Sequence, residues 1–216
     1  MYGTKFISLR DVQTVLKWIE AYVCKSHPDL GRAGPICPFV KPSLDKGKLL
    51  VSFSYDIDGG DIGKIEHRTY EHMNEFLKLP LSSEQDRLNT ALITVFPNIR
   101  QETSKVIDSV HTRVKTEFVR NGLMLGQFHQ TCSEPAARNR DFEISRSPFP
   151  IFAIRYMALH DILFLNQKTV WFDEYHLRFG TKYELGQVSN REGFVDMFNE
   201  TKERLSELHP NECSLK

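Results

Sequence analysis

The stretch SKVIDSVHTRVKTEFVRNGLMLGQFH, residues 104–129, decides the fold class. Its first eighteen residues repeat apolar side chains at the spacing of an amphipathic helix that ends near Asn121. Gly122 is the residue type that most often stops a helix, and Leu123 to His129 then reads as a short apolar strand. A strong helix joined by one glycine to a strand predicts a domain of helices and strands, with a histidine at the strand end.

Helices and strands continue to alternate on both sides of this stretch. We expect a helix from Ser8, as its N-cap, to about Cys24, and a second helix capped by Asp61 and running to about Leu79. The remaining predictions are strands at 48–57, 91–96 and 149–156, late helices at 159–166, 170–179 and 191–208, and loops at 80–87 and 130–148. The second loop is long, and loops of that length are often functional.

This order predicts an α+β fold with a mixed or mostly antiparallel sheet of about four strands covered by helices. A ferredoxin-like core is the first guess for the strand arrangement. We expect a single domain over residues 1–216, with its core at 27–165 and a C-terminal helical extension at 166–208.

The composition of the chain limits the classes of partner that we expect it to bind. The chain has 28 Lys and Arg against 28 Asp and Glu, so no net field favours nucleic acid or an anionic membrane. The most apolar stretch, 151–165, contains three polar or charged residues and is too short to span a bilayer. No apolar run follows Met1–Lys5, so we expect no signal peptide, a cytoplasmic location and reduced cysteines.

His129 is the main candidate for chemistry, because strand ends that lead into long loops often carry sites. A neutral imidazole there could ligate haem iron or a transition metal, or act as a general base. The alternative is a histidine that only hydrogen-bonds the loop backbone. His129 and Cys132 have the spacing of a chelating turn, and with Cys24 and His27 they would form a two-Cys, two-His zinc set.

Cys37 is the second candidate, in the proline-stiffened loop Gly31–Phe39. Its thiolate could ligate haem iron or act as a nucleophile, whereas the alternative is a small buried apolar side chain.

Four arginines are candidates for binding an anion. Arg155 interrupts an apolar strand and alternates onto the face of Ile151 and Ala153, where it needs a partner such as Asp161 or a substrate carboxylate or phosphate. Arg138, Arg140 and Arg146 lie in or beside the long loop and could close over the same anion, with Arg146 also a candidate cofactor contact. The alternative for these three is ordinary surface charge.

Several short patterns occur together: HPDLGRAGPICPFV at 27–40, GLMLGQFH at 122–129, RSPFP at 146–150 and AIRYM at 153–157. The set resembles a bacterial family of uncharacterised single-domain proteins associated with specialised metabolism, over roughly residues 27–165. The resemblance implies a bacterial cytoplasmic protein that acts on or binds a small molecule. It implies no particular activity and no catalytic residues.

Three functions follow as expectations. The favoured one is a small-molecule enzyme with haem- or metal-dependent redox or lyase chemistry, with His129 as ligand. The second is a cofactor-free acid/base enzyme on an anionic substrate, with His129 as base and Arg155 as anchor. The third is a non-catalytic binding module or homodimer, in which the aromatic late helices pack on the sheet or form a seam between two copies.

Overall fold

The computed structural model describes residues 6–208, apart from the side chains of residues 191, 206 and 208. Within this range the chain forms two compact units. The first comprises residues 6–115 and 124–156, and the second comprises residues 116–123 and 157–208. The expectation of a single domain stays a prediction.

The predicted helices and strands occur in the predicted order, together with two short helices and a two-stranded hairpin that were not predicted. The helices are α1 (Leu9–Trp18), α2 (Val40–Asp45), α3 (Ile62–Leu77), α4 (Glu84–Asn89), α5 (Val106–Arg120), α6 (Ile162–Leu165), α7 (Thr169–Glu184) and α8 (Phe194–Leu208). The strands are β1 (Leu49–Phe53), β2 (Ala91–Val95), β3 (Leu123–Phe128), β4 (Pro135–Ala136), β5 (Asn139–Glu143) and β6 (Ile151–Tyr156). A π-helical turn, Ile19–Val23, extends α1, and short 3-10 turns lie at Pro28–Leu30, Gln101–Thr103, Leu159–Asp161 and Asn190–Glu192.

The main sheet has four strands in the order β1-β2-β6-β3. β1 is parallel to β2, and β2 is antiparallel to β6, so the sheet is mixed and the predicted α+β class is confirmed. The ferredoxin-like guess for the strand order is wrong. In a split βαβ unit another strand separates the two parallel strands, whereas here β1 and β2 are direct neighbours.

Side chains alternate between the two faces of this sheet. On one face the core packs α1 against the strands through Val15, Ile19, Phe53, Ile93, Val95 and Ile151. On the other face His72 of α3 contacts the hydroxyls of Thr94 (2.5 Å) and Ser52 (3.4 Å). The predicted N-caps are confirmed, since Ser8 Oγ accepts from Asp11 N and Asp61 Oδ1 accepts from Lys64 N.

Two predicted loops contain regular structure instead. Residues 80–87 include the start of α4, whose N-cap Ser83 accepts a hydrogen bond from Asp86 N. The segment 130–148 contains the hairpin of β4 and β5, whose Ala136 packs against Leu30 of the Pro28–Leu30 turn and Ile36 of the Gly31–Phe39 loop. The hairpin has almost no alternation of apolar and polar residues because only a few of its side chains meet this small core.

The second unit has an aromatic core. Phe198 stacks on Tyr183 with 4.0 Å between ring centroids, and Tyr175 donates to the Leu159 carbonyl and contacts the Tyr183 hydroxyl. Several late-helix aromatics predicted to pack on the sheet or form a seam are buried in the structure: Trp171, Phe172, Phe179 and Phe198. None of the helices in the described part of the chain has the length and apolar character to cross a membrane.

Candidate metal centre at the end of β3

The α5–β3 segment places an acidic and an imidazole side chain together. From Asp108 to Gly122 the helix rises about 21 Å at 1.5 Å per residue. From Gly122 to His129 the strand returns about 23 Å at 3.3 Å per residue. Because the two lengths match, the first turn of α5 lies beside the end of β3.

His129 and Asp108 form a close pair. His129 Nε2 lies 3.0 Å from each oxygen of the Asp108 carboxylate. The His129 side chain is fully buried, whereas 37% of the Asp108 side chain is exposed. Any access from solvent to this pair is therefore on the Asp108 side.

The other imidazole nitrogen faces two hydroxyls. His129 Nδ1 lies 3.1 Å from Ser104 Oγ and 3.2 Å from Thr131 Oγ1. Ser104 donates its own proton to the Gln101 carbonyl at 2.7 Å, so its oxygen is left to accept. A proton on Nδ1 can be donated to the Ser104 oxygen. The lone pair of Nε2 then faces the negative Asp108 carboxylate, so a second proton or a metal ion must lie between them. If Thr131 donates to Nδ1 instead, the imidazole is neutral and its Nε2–H bonds Asp108.

Cys132 completes the group. The turn from His129 is closed by a hydrogen bond from Cys132 N to His129 O at 3.2 Å, and Cys132 is 1% exposed. Burial raises the pKa of the Cys132 thiol to about 11, against a smaller opposing effect of the Glu134 backbone N–H that bonds its sulfur. One ligand atom from each of Asp108, His129 and Cys132 lies within 4.8 Å of the other two, close enough to converge on one ion.

Gln127 borders the same site. Its Nε2 donates to Asp108 Oδ1 at 3.0 Å. Its Oε1 is buried and has no hydrogen-bond partner among residues 6–208. A buried acceptor without a donor is costly, so this oxygen marks a place where a water or a ligand N–H or O–H would bind.

The structure places Cys37 and Arg155 away from His129. Cys37 N donates to Val23 O at 3.1 Å, at the end of the α1 segment. The Arg155 guanidinium stacks on Phe39 at 4.1 Å and donates to the Tyr156 carbonyl at 3.0 Å. Arg155 is on the face of Ile151 and Ala153 as predicted, but at the opposite end of β6 from the segment that pairs with His129, roughly 13 Å along the strand.

The other three arginines do not gather at His129 either. Arg146 pairs with the Glu143 carboxylate through Nε at 2.8 Å, and meets His129 only through the backbone. The Arg138 backbone lies against Gly31, where an added Cβ would meet the Arg138 carbonyl at 2.9 Å. Arg138 and Arg140 are both exposed on the hairpin.

The structure does not group the four residues of the predicted two-Cys, two-His set. His129 and Cys132 lie together, but among the described residues their third partner is Asp108. His27 instead accepts from Asp29 N and stacks on Phe142.

A haem does not suit this geometry. An axial histidine needs a flat open space beside its ligating nitrogen, whereas His129 is fully buried with Asp108 against Nε2. Two cavities of about 430 and 230 Å³ are lined by other residues, near α3 and between α1 and β1. A single ion fits the space between the three side chains better than a macrocycle does.

Sequence reasoning missed Asp108, Ser104 and Gln127. Asp108 lies in the first turn of α5, and Ser104 lies just before it, at the end of the Gln101–Thr103 turn. The signal was available in the matched lengths of the helix and the strand on either side of Gly122.

A model of the DUF6875 family, a domain of unknown function, matches residues 12–190. The chain belongs to this family. The DUF6875 match covers both halves of the candidate site, Asp108 and the His129–Cys132 turn. No curated protein and no solved structure gives a significant match to the chain.

Proposed function

We propose that this DUF6875 protein is a metal-dependent enzyme acting on a small molecule, with Asp108, His129 and Cys132 as the ligands of one transition-metal ion. The observation that carries the proposal is the convergence of a carboxylate, an imidazole and a thiol within 4.8 Å. These are the three ligand types that hold zinc in proteins, and three protein ligands leave a fourth position open, as catalytic sites do.

The surrounding groups support this assignment. Ser104 can accept the Nδ1 proton of His129, the type of contact that orients histidines bound to metals. The Glu134 backbone N–H bonds the Cys132 sulfur and would stabilise its thiolate once the ion replaces the proton. Gln127 donates to Asp108 through Nε2, and its buried Oε1 has no partner among residues 6–208, so it can accept a hydrogen bond from a bound water or ligand.

The donor set favours zinc over a redox metal. A mixture of nitrogen, sulfur and carboxylate oxygen is what a borderline-soft ion selects. Zinc supplies Lewis-acid chemistry and no electron transfer, so we propose lyase-type rather than oxidoreductase chemistry. The resemblance to a bacterial family associated with specialised metabolism supports a small-molecule substrate.

Cobalt(II) titration of the metal-stripped chain tests the ligands without needing a substrate. We expect one equivalent to bind and to produce a thiolate-to-cobalt charge-transfer band. Cys132→Ser should lose that band, and Asp108→Asn and His129→Gln should weaken binding at least 10-fold. Cys37→Ser and His67→Gln, outside the group, are the matched controls and should bind as the unaltered chain does.

The result that would overturn the metal proposal is a folded chain that binds no cobalt and is isolated without zinc. The close Asp108–His129 pair would then favour the second candidate, cofactor-free acid/base catalysis, in which Asp108 orients and charges the imidazole. Arg155 is too far along β6 to anchor a substrate that touches His129. If His129→Gln leaves the metal content unchanged and only lowers stability, His129 has a structural role in holding the loop and no role in metal binding.

A further inference from the structure

The segment after α1, residues 23–26, runs antiparallel to residues 35–37 of the Gly31–Phe39 loop. Ser26 and Pro35 form an antiparallel bridge, and Ile36 N donates to Lys25 O at 2.8 Å. Cys37 N then donates to Val23 O at 3.1 Å. These contacts hold the segment after α1 against the segment before α2.

This pairing sets Cys24 opposite Cys37. Counting from the bridge, Lys25 opposes Ile36 and the next pair is Cys24 with Cys37. The ladder is irregular at this pair, because Cys24 ends the π-helical turn with helical backbone angles (φ −84°, ψ 0°). The hydrogen bond from Cys37 N to Val23 O nevertheless holds Cys37 against the Val23–Cys24 peptide. Disulfides span Cα separations of roughly 4.4–6.8 Å, and a hydrogen bond from Cys37 N to the carbonyl that precedes Cys24 keeps the two backbones close enough for such a bridge.

The two thiols are also chemically suited to react with each other. Both are free and partly exposed, whereas Cys132 is buried. The pKa of Cys24 is raised by burial first and then by electrostatic repulsion from Cys37, which is the effect expected of neighbouring sulfurs. Neither cysteine belongs to the group at His129.

We propose that Cys24 and Cys37 are a dithiol pair that forms a reversible intramolecular disulfide with a small-molecule disulfide as oxidant. One thiolate attacks the oxidant and releases a thiol, and the second thiolate then attacks the mixed disulfide and releases another thiol. Two protein thiols lose two electrons and two protons, and one disulfide is reduced to two thiols. The product closes residues 24–37 into a ring.

Oxidised glutathione tests the pair. We expect peptide mapping of the treated full-length chain to show a Cys24–Cys37 crosslink and no glutathione on either residue. Cys24→Ser should leave glutathione attached to Cys37, since the resolving thiol is gone. Cys132→Ser is the control and should still form the crosslink.

A second readout is limited proteolysis of the loop. Cleavage between residues 28 and 36 should slow after oxidation and recover when a dithiol reductant opens the ring. The proposal is overturned if both cysteines of the unaltered chain carry glutathione, if both stay reduced, or if either pairs with a different cysteine. This mapping needs no variant, so it decides the question even if Cys24→Ser fails to fold.

Discussion

Ser104 is one of the two hydroxyl residues that contact Nδ1 of His129, and the other is Thr131. The Ser104 hydroxyl is committed to the Gln101 carbonyl, so its oxygen favours a proton on Nδ1 and a bare Nε2. Under the proposed metal function, the orientation of His129 as a ligand would therefore depend on Ser104, which is not itself one of the three proposed ligands.

Replacing Ser104 by Ala should weaken cobalt binding by roughly 10–100-fold, the range typical of lost outer contacts to a metal-bound histidine. The free energy of unfolding should fall by about 1–3 kcal/mol because buried polar partners are left without Ser104. Ser43→Ala is the matched control, since Ser43 is equally buried and donates to the Phe39 carbonyl away from the site. An unchanged cobalt affinity in Ser104→Ala would contradict this role.

His111 makes the fold sensitive to acid. Burial lowers its pKa from 6.5 to about 4, and Nε2 donates to the Leu125 carbonyl at 2.9 Å. In the unfolded chain His111 binds a proton below about pH 6.5, whereas in the folded chain it stays neutral down to about pH 4. Stability from this residue is therefore intact above pH 6.5 and falls as the pH drops towards 4, by on the order of 1 kcal/mol per pH unit.

The variant that tests this is His111→Gln, which can keep the hydrogen bond to Leu125 but carries no titratable group. Denaturant unfolding at several pH values between 7 and 4 should show a shallower loss of stability than in the unaltered chain. His67→Gln, on an exposed side chain, should leave the slope as it is. A steeper or equal slope in His111→Gln would count against the assignment.

At the scale of elements, Gly122 is the point where α5 turns into β3. It has φ of 71°, the left-handed region, and its N donates to Val119 O at 2.9 Å. A Cβ here would lie 2.7 Å from Arg178 Nε, and Arg178 donates to the Arg120 carbonyl at 3.1 Å. The register of the helix against the strand thus depends on a residue without a side chain.

Gly122→Ala should lower the free energy of unfolding by about 1–2 kcal/mol for the backbone conformation, with a further loss of about 1 kcal/mol as Arg178 moves off Arg120. Gly186 offers the comparison, because it follows α7 with φ of 65° and has open space where a Cβ would lie. Gly186→Ala should therefore show the backbone cost alone. Equal losses in the two variants, by chemical denaturation, would show that the Arg178 contact contributes nothing.

At the scale of the whole molecule, the balance of charges predicts the pH at which solubility is lowest. The 28 basic and 28 acidic side chains cancel, and the isoelectric point is about 7.1. Apolar side chains such as Phe6, Leu9 and Leu177 are largely exposed. A protein with no net charge and exposed apolar groups self-associates most readily, so solubility should be lowest near pH 7.

Precipitation curves at pH 7.0 and pH 8.5 test this, and the chain should stay soluble at higher precipitant concentration at pH 8.5. Raising the salt concentration screens charge and should narrow the difference between the two curves. Equal solubility at the two pH values would show that exposed apolar groups, and not net charge, control association.

The correct predictions concern local features. Ser8 and Asp61 accept hydrogen bonds within three residues, and Gly122 stops α5 through its own backbone angles. The errors concern features that need distant partners. The β4–β5 hairpin packs on a loop about 100 residues earlier, and strand order depends on which edges pair.

By itself, the sequence determined the α+β class, most helix and strand positions and the place of His129 at a strand end, because periodicity and caps act within one element. The spacing of His129 and Cys132 also placed these two in one turn. Only the tertiary structure decided that Asp108 joins them, while Cys37 and Arg155 lie elsewhere. The reason is geometric. A site forms where separate elements bring side chains within a few ångströms, and the lengths on both sides of Gly122 bring Asp108, and not Arg155, to His129.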